Sequence, residues 1–194
     1  MKNKFLLIII SIMFIAINSK AQQTGTFTDK RDGKSYKTVE IGTQTWMAEN
    51  LAYKTDSGCW AYNKQDSNMI KYGYLYNLET AKTACPVGWH LPSKEEFNSL
   101  LQNFGGAGKN AFEALVPSGN SGFAALLGGL RYNNGRFSNL DFSAIFWSSS
   151  QSSKTSAWYL YMNSENPTLM SSKDANVACG LGETLGFSVR CVRD

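Results

Sequence analysis

Few residues in this chain have types and spacings suited to chemistry. His90 is the only histidine in the 194 residues. A histidine-based triad or a histidine-rich metal site would need partners from elsewhere in the chain. It stands between Trp89 and Leu91, inside a run of turn formers and apolar residues (Cys85-Pro86-Val87-Gly88-Trp89-His90-Leu91-Pro92), and reads as structural. Glu95 and Glu96 are the nearest carboxylates. They fall in the first turn of a predicted helix, where negative charge favours the helix dipole. Adjacent helical positions point apart, so the two make a poor acid/base pair, and glycoside hydrolysis has no support. Trp60, Tyr62, Tyr132, Trp158, Tyr159 and Tyr161 could stack on sugar rings. Aromatics at alternating strand positions more often fill a core, which leaves Trp60 and Tyr62, in a loop, as the better ligand candidates.

The elements that must position these residues start after residue 21. Lys2 and Lys4 precede an almost wholly apolar run, Phe5 to Ile17, and Ser19 and Ala21 supply small residues at the minus-three and minus-one positions. That pattern is a secretory signal peptide cleaved after Ala21. The run is shorter than the roughly 20 residues of a spanning helix, and no cysteine follows it to carry a lipid anchor. Cleavage removes Lys2, Lys4 and Lys20 and takes the net charge from +4 to +1. A mature domain so close to neutral gives no electrostatic case for nucleic acid or for an anionic membrane. The four cysteines, Cys59, Cys85, Cys179 and Cys191, include no C-x-x-C pair. An even count in an exported chain argues for two disulfides, and spacing alone leaves all three connectivities open.

Residues 22–30 read as a flexible polar leader. Tyr36 to Ile41 and Gln44 to Met47 read as a hairpin turned at Gly42-Thr43. Residues 52–74, rich in Tyr, Asp, Asn and Ser, read as a long irregular loop. Leu78, Ala81 and Ala84 suggest a short helix that stops at Pro86. Ser93 fits an N-cap with Glu96 as its capping-box partner, and Phe97, Leu100 and Leu101 form one apolar stripe on the following helix. Asn110 to Val116 suggests a short helical piece, and Tyr132 to Phe137 contains an Asn-Gly hairpin turn. Ile145 to Ser149, Ala157 to Asn163 and Gly186 to Val192 read as strands. In the last, Phe187, Val189 and Cys191 share one face.

Six motifs occur in the order typical of one family. They are Asp32 to Gly42, Gln44 to Leu51, Lys71 to Tyr76, Cys85 to Pro92, Phe146 to Ser149 and Gly186 to Val192. On these the chain resembles the Fibrobacter succinogenes major paralogous domain proteins over nearly all of its mature length. That resemblance implies an exported protein of Bacteroidetes-type bacteria with no established activity. The family is in turn similar to the C-type lectin-like fold and to the formylglycine-generating, sulfatase-modifying enzymes. The similarity rests here on Ala81 to Cys85, the Gly88 to Leu101 corner and helix, and the terminal Gly-Phe to Arg-Cys strand.

The lectin-like likeness implies a Cys85–Cys191 bridge, because the cysteine that ends the first helix pairs there with one on the last strand. Cys59 usually has a second cysteine soon after it in the family. Asn68, Met69 and Ile70 occupy that region here, and Cys179 looks like an addition. Cys59 is therefore expected to pair with Cys179 and staple two long loops together. Calcium-dependent lectins of the fold use Glu-Pro-Asn or Gln-Pro-Asp with Trp-Asn-Asp. This chain has Glu165-Asn166-Pro167 in another order and lacks Trp-Asn-Asp. Asp174 and Asn176 could add oxygens, but calcium takes 6–8 oxygen ligands, and no metal site is expected. The sulfatase-modifying enzymes need two redox-active cysteines near the C-terminal side, where only Cys179 stands.

The expectation is an α+β domain of C-type lectin-like architecture, with antiparallel strands, two short helices, long loops and disulfide bonds. Residues 1–21 are the signal peptide, 22–30 the leader and 31–194 a single domain. The expected function is non-enzymatic binding of glycan or protein, outside the cell or in its envelope, without catalytic residues, cofactor, nucleic-acid partner or membrane span once the signal is removed. Loops 52–74 and 148–156 with 163–184 would form the binding face. Trp60, Tyr62, Glu165, Asn166 and Asp174 are the candidate ligand residues. The alternatives are a thiol- or copper-dependent enzyme related to the formylglycine-generating enzymes, and a purely structural envelope protein.

Overall fold

A computed structural model describes residues 22–153, 156–163, 168–171 and 185–194. The first strands are β1 (Thr24–Thr28), β2 (Ser35–Ile41), β3 (Gln44–Met47) and β4 (Cys59–Trp60). A 3-10 turn, Tyr62–Lys64, and α1 (Asp66–Tyr72) lead to β5 (Leu75–Tyr76) and α2 (Leu78–Ala84). Then come β6 (Trp89–His90), α3 (Lys94–Gln102) and α4 (Lys109–Leu115). The rest is strand: β7 (Gly128–Arg131), β8 (Phe137–Leu140), β9 (Ser143–Ser153), β10 (Ser156–Asn163), β11 (Thr168–Ser171), β12 (Phe187–Ser188) and β13 (Val192–Arg193).

The strands form a five-stranded sheet in the order β1-β2-β3-β13-β6 and a six-stranded sheet in the order β11-β10-β9-β12-β5-β4. A separate hairpin pairs β7 with β8. All pairings are antiparallel except β12 with β9. The protein is therefore α+β, with four short α-helices among the described residues.

The segment from Phe187 to Arg193 splices the sheets together. It enters the larger sheet between β9 and β5, leaves it at Val189, and enters the smaller sheet between β3 and β6. Between the two, Leu51 N–H donates to the Val189 carbonyl at 2.9 Å and Met47 N–H to that of Cys191 at 3.0 Å. Alternation in sequence reads this stretch as one strand. It is two short strands because it changes partners midway.

Both faces of the central strands are buried, in two apolar cores. Along β9, Ala144 and Phe146 join one core and Ile145 and Trp147 the other. In the first core Trp46 packs on Phe97 and Phe123, each with ring centroids 5.5 Å away. In the second, Trp147 lies 4.3 Å from Phe187 and its indole N–H donates to the Tyr76 carbonyl at 2.7 Å. A strand buried on both sides reads as a continuous apolar run, as Ala144 to Trp147 does.

α3 follows the local rules. Ser93 Oγ accepts from Glu96 N–H at 3.1 Å, and Glu96 Oε2 accepts from Ser93 N–H at 2.7 Å. Phe97, Leu100 and Leu101 are buried, and burial of such side chains stabilises by about 1.5–3 kcal/mol each. α2 starts at the Asn77 cap, whose side chain accepts from Thr80 N–H at 2.8 Å, and ends where Pro86 forbids continuation. Cys85, just past its end, forms the disulfide with Cys191 in the sheet splice. The bridge closes a separation of 106 residues, worth roughly 4–5 kcal/mol in the chain-entropy model.

Four sequence expectations are corrected. The leader contains β1, which pairs with β2 from Thr24 opposite Val39 to Thr28 opposite Ser35. Main-chain pairing holds it, and Phe27 packs on Trp89 at 5.2 Å. Residues 52–74 hold β4, a 3-10 turn and α1 rather than an irregular loop. Ser148 to Ser153 is the outer half of β9, so 148–156 is mostly a β-ribbon with β10. Among the described residues four helices stand where the expected architecture had two: α4 is the short helical piece read at Asn110 to Val116, and α1 is the one not foreseen.

The β1–β2 turn has its own anchor. Asp29 is fully buried and its carboxylate takes Arg31 Nε at 3.0 Å and Nη2 at 2.7 Å. The Arg31 guanidinium lies 3.8 Å from the Tyr53 ring centroid.

Candidate functional site

Of the expected ligand residues, the structure describes Trp60 and Tyr62. Trp60 is half-buried on β4, with the Arg131 guanidinium 4.1 Å from its ring centroid and Gly186 packed against the indole. Tyr62 is buried against Phe137 at 5.2 Å. One face of Trp60 is thus covered, and Tyr62 is a packing residue. Glu165, Asn166 and Asp174 lie outside the described residues, as does Cys179. The expected Cys59–Cys179 bridge is not among the described bonds. Cys59 is a free cysteine on an edge strand, its Sγ accepting from Thr55 N–H at 3.4 Å and donating to the Thr55 carbonyl at 3.6 Å.

His90 is fully engaged, with Nδ1 2.7 Å from Asp194 Oδ1 and Nε2 2.8 Å from Glu96 Oε1. Burial acts to lower its pKa, but the hydrogen bonds to Asp194 and Glu96 outweigh it and the net direction is upward. Both ring nitrogens face carboxylates on opposite sides, so this trio cannot converge on one metal ion. Among the described residues no cluster of three or more His, Cys, Asp or Glu side chains is arranged to hold a metal. Glu95 accepts from Ser150 Oγ at 3.4 Å and so faces away from the histidine.

What the fold does assemble is a corner where α1 meets the turn between β8 and β9. Tyr72, at the end of α1, donates its hydroxyl to Asp141 Oδ1. Lys71 Nζ lies 3.8 Å from the same oxygen and 4.5 Å from the Tyr72 ring centroid. Burial, then the Asp141 carboxylate, pushes the Tyr72 hydroxyl above its ordinary pKa, so it remains a donor. Ile70 and Phe142, the chain neighbours of Lys71 and Asp141, are 73% and 59% exposed. Large apolar side chains that remain this open while polar partners fix their neighbours fit recognition of a partner.

Backbone strain gathers in the same region. Of the five described non-glycine residues with positive φ, Asn63 (53°) and Lys64 (59°) are in the 3-10 turn before α1, while Asn139 (63°) is inside β8 and Asp141 (58°) just follows it. The two segments touch through Tyr62 and Phe137. Asn and Asp tolerate this conformation, whereas Lys64 does so at a cost. Gly73 releases the chain from α1 at φ 74°, and a Cβ there would sit 2.6 Å from the Leu51 carbonyl oxygen. The corner is therefore built on a backbone that few sequences accept.

Beneath it lies Arg190, with no exposed surface. Its Nη2 donates to Asn50 Oδ1 at 2.6 Å and to the Ala124 carbonyl at 3.2 Å, and its Nη1 to the carbonyls of Met47, at 3.2 Å, and Phe123. Burial lowers its pKa to about 9, with Glu49 acting in the other direction, so it is cationic at neutral pH. Asn50 in turn donates to the Tyr72 carbonyl at 2.9 Å, which links the buried cation to the C-terminal end of α1.

Sequence reasoning missed Ile70, Tyr72, Asp141, Phe142 and Arg190. Arg190 carried a signal, as a lone cation between Val189 and Cys191 in an apolar strand. Phe142 carried none, because a phenylalanine at a turn looks like any other. A cleft of about 690 Å³ opens elsewhere, lined by Gln22, Gln23, Glu40, Ile41, Gly42, Asn103 and Phe104. Glu40 is the single ionisable side chain among its described lining residues.

Among the described residues no helix is long and apolar enough to cross a membrane. In comparisons with known proteins, the profile of the Fibrobacter succinogenes major domain matches residues 39–193. No curated protein and no solved structure matches the chain.

Proposed function

The chain belongs to the Fibrobacter succinogenes major domain family, and on that premise we propose that it is an exported, non-enzymatic binding module of the bacterial envelope or cell surface. Its ligand is a glycan or a protein. The export signal is the basic start, apolar run and small-residue site within residues 1–21. The fold is of the C-type lectin-like kind, also used by the sulfatase-modifying enzymes. The helix, disulfide, Gly-Trp corner and helix order, with Cys85 bonded to Cys191, supports that likeness.

The observation that carries the reading is the exposed Ile70–Phe142 corner, set on a strained backbone and fixed by Tyr72, Lys71 and Asp141. Functional residues commonly sit on loops held by a rigid scaffold. The sole histidine has both ring nitrogens engaged by carboxylates.

The test is binding by the secreted protein and its Phe142→Ala, Ile70→Ser double variant, to a glycan array and to extracted envelope proteins. Loss of tenfold or more in affinity, about 1.4 kcal/mol, with unchanged thermal stability is expected. Equal binding by both proteins would remove the corner from consideration. A thiol-dependent reaction is the second reading, favoured by the free Cys59. It requires that Cys59→Ser abolish an activity which the double variant retains.

A further inference from the structure

The His90 imidazole bridges two carboxylates that belong to different parts of the fold. Asp194 follows β13, and Glu96 is the capping-box residue of α3. A carboxylate only accepts hydrogen bonds, and a neutral imidazole has one N–H to give. Only the imidazolium satisfies both contacts at once. When the ring is neutral, one nitrogen presents a lone pair to a carboxylate and that contact becomes repulsive.

The two carboxylates are not equally held. Glu96 Oε2 keeps its bond from Ser93 N–H at 2.7 Å whatever the histidine does. The Asp194 carboxylate is 60% exposed and has no other hydrogen bond among the described residues. Two residues before it, Val192 pairs with His90 across the β13–β6 ladder, β6 is an edge strand, and Asp194 N–H donates to the Gly88 carbonyl at 3.1 Å.

We propose that His90 is a proton-operated latch that fastens the end of β13 to the N-terminus of α3 and releases Asp194, not Glu96, when it loses its proton. The remaining charged groups on the elements packed around it are Lys94 and Glu95 of α3 and Arg193 of β13. Lys94 Nζ lies 3.9 Å from the Trp158 ring centroid, Glu95 faces Ser150, and Arg193 lies 5.6 Å from the Trp89 ring centroid. β3, the other neighbour of β13, brings no charge. The latch is therefore governed by His90, Glu96 and Asp194. Because the pKa of His90 is raised in the folded state, its stabilisation is complete below the ordinary histidine value of about 6.5 and is lost as pH rises through the folded value.

The experiment is an NMR titration of the full chain made in an oxidising compartment, followed from about pH 5 to about pH 9 across the histidine range. With one histidine, the ring signals need no assignment. The ring should be doubly protonated at its lower limit, with a midpoint above about 6.5. The amides of Val192, Arg193 and Asp194 should shift with that same midpoint. Asp194→Asn, an exposed substitution outside the core, should lower the midpoint and abolish the response of residues 192–194, while the Ser93 and Glu96 amides keep theirs. A wild-type midpoint at or below the ordinary value would overturn the latch. So would a response of residues 192–194 that survives Asp194→Asn.

Discussion

Arg190 donates to the side-chain oxygen of Asn50 at 2.6 Å, joining residues 140 positions apart. With the Met47, Phe123 and Ala124 carbonyls it brings the end of β3, the segment before β7 and the sheet splice to one cation. Phe123 and Phe146 face the guanidinium at 4.5 and 5.4 Å, so its charge is met by ring faces and carbonyl dipoles.

Replacing Arg190 by methionine keeps much of the volume and leaves those acceptors buried without a donor. Each such group costs about 1–3 kcal/mol. Arg190→Met should therefore lower stability by about 3 kcal/mol or more in urea unfolding. Arg190→Lys should fall between, since a lysine keeps the charge but loses the planar fork that reaches several acceptors. A methionine variant within about 1 kcal/mol of wild type would show that Arg190 is not needed to hold these segments.

The Cys85–Cys191 bridge ties the end of α2 to the sheet splice. The Cys85→Ser, Cys191→Ser double variant should lose roughly 4–5 kcal/mol by the chain-entropy model, and reductant should move the wild-type midpoint toward that of the variant. A double variant as stable as wild type would mean that the splice needs no covalent support.

Acid should loosen the β1–β2 turn at a residue that can be named. Burial alone would raise the pKa of Asp29, but the hydrogen bonds and charge of Arg31 outweigh it and hold the carboxyl below its usual range. A depressed folded value places this stabilisation above the unfolded value of about 3.9, to be lost as pH falls through the folded one. Asp29→Asn should be less stable than wild type at neutral pH, and the two curves should converge in acid. A gap that is constant with pH would assign the effect to packing rather than to the charge.

What was legible in the sequence is what is decided locally. The α3 capping box, the β2–β3 hairpin and the Asn-Gly turn between β7 and β8 depend on residues a few positions apart. α1 was not legible, because Tyr72 is its only buried residue and no apolar stripe marks it. β1 was not legible either, since Thr24 to Thr28 offers one aromatic and is held by pairing with β2. The serines from Ser148 to Ser153 look like loop and are strand because β10 supplies the other half of the ladder. Of the candidate site, Trp60 and Tyr62 were read as loop aromatics available to a ligand, and their packing partners, Arg131 and Phe137, were not legible because they come from β7 and β8. Phe142 and Ile70 could be found only once the chain was folded, since exposure is a property of the surface and not of the residue type.

The position of the sheet splice bears on when the protein can fold. Both β12 and β13 are interior strands, and both follow every other described strand in the chain. Neither sheet can close until that segment joins it, however much of the preceding chain is already paired. Folding must wait for long-range contacts, which makes it slow and leaves apolar strands open in the interval. The covalent lock at Cys191 belongs to the same late step, since its partner Cys85 lies 106 residues earlier.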